Sequence, residues 1–171
     1  MHTQSRRGFT LIELVVVISI LAILSGVLVP RVTNHLMSAR DARRLADIKA
    51  VRSAIEQYYM DKGSYPVANA NSSYGGWDVS NDGDFIRVLR DQGYLDEDAV
   101  DPINDATFHY RYYVYAKSSY GCVGSSDFYV LGVRNFESTD FAAKNKGYFA
   151  CSGRDWNSEF AFVTGGGAST Q

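Results

Sequence analysis

The chain has 171 residues, 46% of them hydrophobic and 21% charged, with a formal net charge of −2. That length holds one membrane segment and one domain of about 100 to 110 residues with its own core, and leaves no room for a second domain. The slight acidic excess argues against a nucleic-acid binder, whose footprint is a basic surface.

Arg6 and Arg7 precede an apolar run from Phe9 to Val29. At 1.5 Å per residue a helix of about 21 residues crosses the roughly 30 Å hydrocarbon core of a bilayer. Basic charge on the short leading end keeps that end in the cytoplasm and places the bulk of the chain outside. Glu13 interrupts the run. A lone charge near the centre of such a helix costs about 2.5–3.5 kcal/mol, less toward the ends, so Glu13 either snorkels to the headgroups or meets a partner.

The run Arg7-Gly8-Phe9-Thr10-Leu11-Ile12-Glu13 followed by an apolar helix resembles the class III signal of type IV prepilins and of type II secretion pseudopilins at every motif position. The resemblance implies that a prepilin peptidase cuts after Gly8 and N-methylates Phe9. It also implies that Glu13 pairs with the amino group of a neighbouring subunit, and that Thr10, Gly26 and Pro30 belong to the assembly segment. An ordinary secretory signal fits worse, because Val27-Leu28-Val29-Pro30 is a poor cleavage site, and no Cys follows the run as a lipoprotein signal needs. Without the leader, 15 basic residues face 19 acidic ones, a net charge of −4.

Pro30 lacks a helical donor and crowds the preceding turn, so a kink is expected beside Gly26. In the pilin resemblance this pair marks a helix that stretches on packing; a plain kink at the membrane exit is the other reading. From Arg31 to Lys62, Val32, Leu36, Leu45, Ile48, Val51, Ile55 and Tyr58 or Tyr59 recur mostly at steps of three and four, the mark of an amphipathic helix. Arg40, Arg43, Arg44, Lys49 and Arg52 are read as a solvated face, with inter-subunit ion pairing as the functional alternative. Gly63 suits a left-handed cap and Tyr65-Pro66 forces extended backbone. The stretch Ala46–Ile48 through Tyr58–Pro66 is similar to the helix end of pseudopilins.

Residues 69–83 read as loop. Asp78-x-Ser80-x-Asp82-Gly83-Asp84 looks like half of an EF-hand, but Leu89 stands where a bidentate Glu is needed. The spacing instead predicts that Asp82 or Asp84 caps a short helix, Phe85 to Gln92. Asn71-Ser72-Ser73 matches a glycosylation acceptor. Strands are expected at 108–115, 128–133, 147–151 and 159–163, the second as a continuous buried run, and a flexible tail from Gly165. Cys122 and Cys151 are the only cysteines; an even number facing an oxidising compartment predicts one disulfide. With histidines only at 2, 35 and 109 and no Cys-x-x-Cys, no metal site is expected. The acidic, glycine-rich calcium loop of major pseudopilins has as its counterpart Asn135 to Asp140 with only two carboxylates, so calcium is not expected either.

No nucleophile–base order, metal cluster or phosphate loop points to an enzyme; His109 reads as a strand residue rather than a base. The tyrosines read as packing, with a carbohydrate-binding row as the functional alternative. The expected architecture is α+β: a leader (1–8), a membrane and filament-core helix (9–30), an amphipathic helix (31–66) packed on a small antiparallel sheet in a pilin-like head (67–164), and a tail (165–171). The expected function is a structural subunit of a type IV pilus. A type II secretion pseudopilin is the alternative, and a minor tip subunit for adhesion or DNA uptake a further one. Expected partners are the prepilin peptidase, copies of the same chain in a helical filament, and an inner-membrane assembly platform with its ATPase. The precursor would sit in the inner membrane and the product in an extracellular pilus or a periplasmic pseudopilus.

Overall fold

The structure, a computed structural model, describes residues 8–168, with backbone alone for 27–30. Helix α1 (Leu11–Lys62) is continuous through Gly26 and Pro30, so the expected weak point does not end the helix. The chain divides into two compact units, Met1–Met37 and Ser38–Gln171.

In the first unit the apolar side chains of α1 find nothing to pack on among the described residues: Leu11, Ile18 and Ile23 are 81%, 54% and 71% exposed. A helix apolar all round is stable only in a non-aqueous surrounding, and this one is long and apolar enough to cross a membrane.

In the second unit α1 buries Asp41, Arg44, Ile48, Val51 and Ile55, steps of three and four that form one stripe. Gly63 adopts φ +73° and donates its N–H to Tyr59 O at 2.8 Å, ending the helix as the sequence predicts. The stripe packs on an antiparallel sheet ordered β1-β2-β3-β6, made of β1 (Asp78–Val79), β2 (Tyr110–Tyr115), β3 (Phe128–Val133) and β6 (Phe162–Gly166). Tyr110, Tyr112, Tyr129, Leu131 and Val133 meet the helix in one core.

The other sheet face is covered as well. Phe128, Val130, Tyr115 and Trp77 pack with Phe149, Trp156 and Phe160, carried by β4 (Ala150–Cys151), β5 (Arg154–Asp155) and the turn Trp156–Ser158. Burial on both faces explains why β3 reads as an unbroken apolar run. It also accounts for most aromatic residues as packing. Cys122 and Cys151 form the expected disulfide, which joins the β2–β3 loop to β4.

Three expectations are corrected. The short helix α2 spans only Val88–Asp91, because Asp78 captures the N–H of Ile86 at 3.2 Å and Ile86 sits at φ +43°. Asp82 lies in a 3-10 turn and accepts from Asp84 N rather than capping a helix. The last strand runs to Gly166 and pairs with Tyr129 and Val130, so residues 165 and 166 are not tail. A Cβ on Gly166 would come within 2.7 Å of Glu56 and Tyr129, and one on Gly165 would meet Tyr129 O and the Phe149 ring; Gly166 lets the strand approach α1, and Gly165 lets it approach the aromatic layer on the other face.

Candidate assembly site

At the start of α1, Thr10 donates both its N–H and its hydroxyl to Glu13 Oε2 at 2.8 Å, and Glu13 N–H donates to Thr10 Oγ1 at 3.3 Å. This reciprocal Thr-x-x-Glu arrangement is a capping box, which satisfies helix donors that have no partner within the helix. Here it also holds the carboxylate that interrupts the apolar run. Among the described residues Oε1 accepts no hydrogen bond, so one oxygen stays available for a cation. Phe9, Ile12, Glu13, Val16 and Val17 line a shallow hollow of about 300 Å³. Thr10 and Glu13 are thus brought together, while Gly26 lies thirteen residues further on, about 20 Å along the helix.

A second arrangement escaped sequence reasoning. Arg44, read there as part of a solvated face, is fully buried. Its guanidinium forks onto Asp101 (Nε–Oδ2 2.7 Å, Nη2–Oδ1 3.0 Å) and reaches Asp41 at 2.6 Å and Glu137 at 2.7 Å, with Phe108 stacked at 4.9 Å. Asp41 in turn accepts from Glu137 N and Ser138 N, and Arg40 pairs with Glu137. Burial alone would lower the Arg44 pKa, but the bonds to Asp101 and Glu137 outweigh it and hold it above its usual value. Arg40 keeps the Glu137 carboxyl below the usual range. One guanidinium therefore ties α1 to two loops. The legible signal was Asp41 and Arg44 falling in phase with Ile48 and Val51.

Asp78 is the opposite case. It is fully buried, accepts from Asn69 N and Ile86 N through Oδ2, and leaves Oδ1 without a partner among the described residues. Burial is the main cause that pushes its pKa up to about 7, and Asp82 and Asp84 add to the shift. A folded-state value above the unfolded one, about 3.9, means that its contribution is complete below that value and is lost as pH rises through 7. Asp78→Asn is therefore expected to flatten the fall in melting temperature of the detergent-solubilised chain between pH 5 and 8, gaining about 2–4 kcal/mol at pH 8. Parallel pH profiles for the two proteins would refute this.

His109 is buried just before β2, with Nδ1 3.1 Å from Asp105 O and Nε2 accepting from Arg111 Nε at 2.9 Å. Burial and Arg111 hold its pKa below the usual value, and both ring nitrogens are engaged in structure. Among the described residues no group of three or more His, Cys, Asp or Glu side chains is placed to hold a metal ion.

Comparison with known proteins bears on the first of these sites. Residues 3–29 match the family described as the prokaryotic N-terminal methylation motif. A type II secretion system core protein G of Klebsiella michiganensis is 41% identical over 67 residues, 39% of this chain and 47% of that protein. The core protein G of Aeromonas hydrophila is 28% identical over 144 residues, 82% of this chain and 92% of that protein. A type IV major fimbrial protein of Dichelobacter nodosus is 34% identical over 82 residues, 47% of this chain and 49% of that protein. The chain spans about half the length of several curated relatives it matches. No solved structure matches. The motif lies on the segment that carries the Thr10–Glu13 capping box and the exposed apolar helix, and the chain that carries it is similar to type II secretion core proteins G and to type IV fimbrial proteins.

Proposed function

We propose that this chain is a subunit of a type II secretion pseudopilus, a periplasmic filament that drives folded proteins out of the cell. One observation carries the choice of pseudopilus over pilus: the likeness to the Aeromonas core protein G extends over 82% of the chain, whereas that to the Dichelobacter fimbrial protein stops at 47%. The type IV pilus reading, the main expectation from sequence, gives way on that ground.

In this reading the precursor is anchored in the inner membrane by α1, cut after Gly8 and methylated on Phe9. The Thr10 capping box keeps the Glu13 carboxylate partly bonded while the subunit waits in the bilayer, where an unsatisfied charge is costly. Glu13 Oε1 then accepts the amino group of the Phe9 of a neighbouring copy, which sets the register between helices. Gly26 and Pro30 mark where the helix yields as copies pack. The prepilin peptidase, an inner-membrane platform and its ATPase are the partners this route needs.

The test is deletion of the gene followed by complementation. The deletion is expected to abolish extracellular release of folded exoproteins and leave surface pili in place. The restored strain should contain a chain whose mass begins at N-methyl-Phe9. Loss of pili with secretion intact would overturn the pseudopilus reading, and an unprocessed chain in the restored strain would overturn the processing.

A further inference from the structure

We infer that the solvent face of α1 in the 38–171 unit docks the acidic edge 96–103 of a second copy of this chain. The inference rests on the filament reading above and names the contact between heads that would accompany it.

On α1, Ala42, Ala46, Ala50 and Ser53 are exposed at steps of three and four. They form a shelf that another chain can approach closely. Arg43 and Lys49 flank it. The Arg43 side chain is 65% exposed and only loosely engaged, 3.7 Å from Asp47, and Lys49 is exposed, with an ammonium that makes no ion pair or hydrogen bond among the described residues.

The complementary surface follows α2. Asp96 and Glu97 are exposed and likewise unpaired among the described residues, whereas Asp98 is taken by Arg90. Val100 and Ile103 follow, 41% and 40% exposed. This segment is a fixed edge, held at one end by Tyr94 Oη to Asp61 (3.0 Å) and at the other by Asp101 to Arg44 (2.7 Å).

Each surface thus offers what the other lacks: cations beside a flat shelf, and carboxylates beside protruding apolar side chains. Exposed Arg43 and Lys49 make the first surface basic, and exposed Asp96 and Glu97 make the second acidic. Like surfaces therefore repel, which disfavours a two-fold pairing of acidic edge on acidic edge, and unlike ones attract. A contact between two different patches of one chain is heterologous, and unless its rotation closes a ring it propagates as a helix.

The test uses the full-length chain assembled in its host. Lys49→Glu and Glu97→Lys are each expected to lower the yield of sheared filaments by about tenfold or more, and the combination to restore it to within about threefold. Each single variant should keep the wild-type melting temperature in detergent, since neither side chain has a partner to lose. A Lys49→Cys, Glu97→Cys chain should give a ladder of cross-linked multimers on oxidation. If the wild type assembles but the reversals assemble equally well, or fail without restoration in the combination, and no ladder forms, the contact is wrong. If the wild type itself is processed at Phe9 yet never assembles, the filament reading fails and the contact with it.

Discussion

Arg44→Ala is expected to destabilise the 38–171 unit by about 3–5 kcal/mol, the range for removing one partner of a buried ion pair. The loss comes less from the bonds that vanish than from what remains. Asp41 and Asp101 are 0% and 3% exposed, and without the guanidinium their charges have no counter-ion within the core. Glu137 keeps Arg40, whereas Asp41 and Asp101 each keep two backbone N–H groups but no cation, so the cost falls on the two aspartates. Arg44→Lys should recover only part of the loss, because an ammonium cannot repeat the two-pronged contact with Asp101 while also meeting Asp41 and Glu137. At about 2–4 °C per kcal/mol, the alanine variant should melt about 10 °C lower in detergent. The network also has a direction in pH. The Glu137 pKa is depressed in the folded state, so its contribution is present above the unfolded carboxylate value and is lost as pH falls through the folded one. An alanine variant that melts within about 1 °C of wild type would mean that Arg44 is not the buried hub.

That hub shows where sequence reasoning stops. The leader motif, the apolar run and the cap at Gly63 are local signals, each written within a few residues, and all were legible. So was β3, because a strand buried on both faces carries its own pattern. Arg44 was not, because a charged residue on a helix is far more often solvated, and its reason for burial, Asp101 and Glu137, lies 57 and 93 residues away. The same holds for β1, two residues long, which exists because Asp78 and Val79 pair with Tyr112 and Arg111. The glycines at 165 and 166 were misread for a related cause: a small residue that permits close approach looks, without its neighbour, like a flexible one. At the candidate assembly site Thr10 and Glu13 are singled out by resemblance alone, but the capping box between them needed only local physics, since Ser/Thr-x-x-Glu before an apolar run is its signature.

Removing the disulfide is the second large effect expected. Cys122 and Cys151 are 29 residues apart in sequence, and freeing a loop of that length costs about 3–4 kcal/mol on the chain-entropy model. The Cys122→Ser, Cys151→Ser chain should therefore melt roughly 10 °C below wild type, and a reductant should lower the wild type by a similar amount while leaving the double variant unmoved. The damage should be local. β4 and β5 pair as strands only with each other, so the layer holding Phe149 and Trp156 against Phe128 depends on the bridge, on aromatic packing and on a few bonds from Gly153 and Arg154 to Tyr120 and Tyr115. The ladder from Tyr110–Val133 to Tyr115–Phe128 and the helix core at Ile48, Val51 and Ile55 have their own bonds. Hydrogen exchange should accordingly quicken across residues 148–160 and stay slow in β2 and β3. If exchange rises evenly over the whole unit instead, the two layers fold as one and the bridge acts on both; if neither exchange nor melting changes, the bridge contributes nothing to the fold.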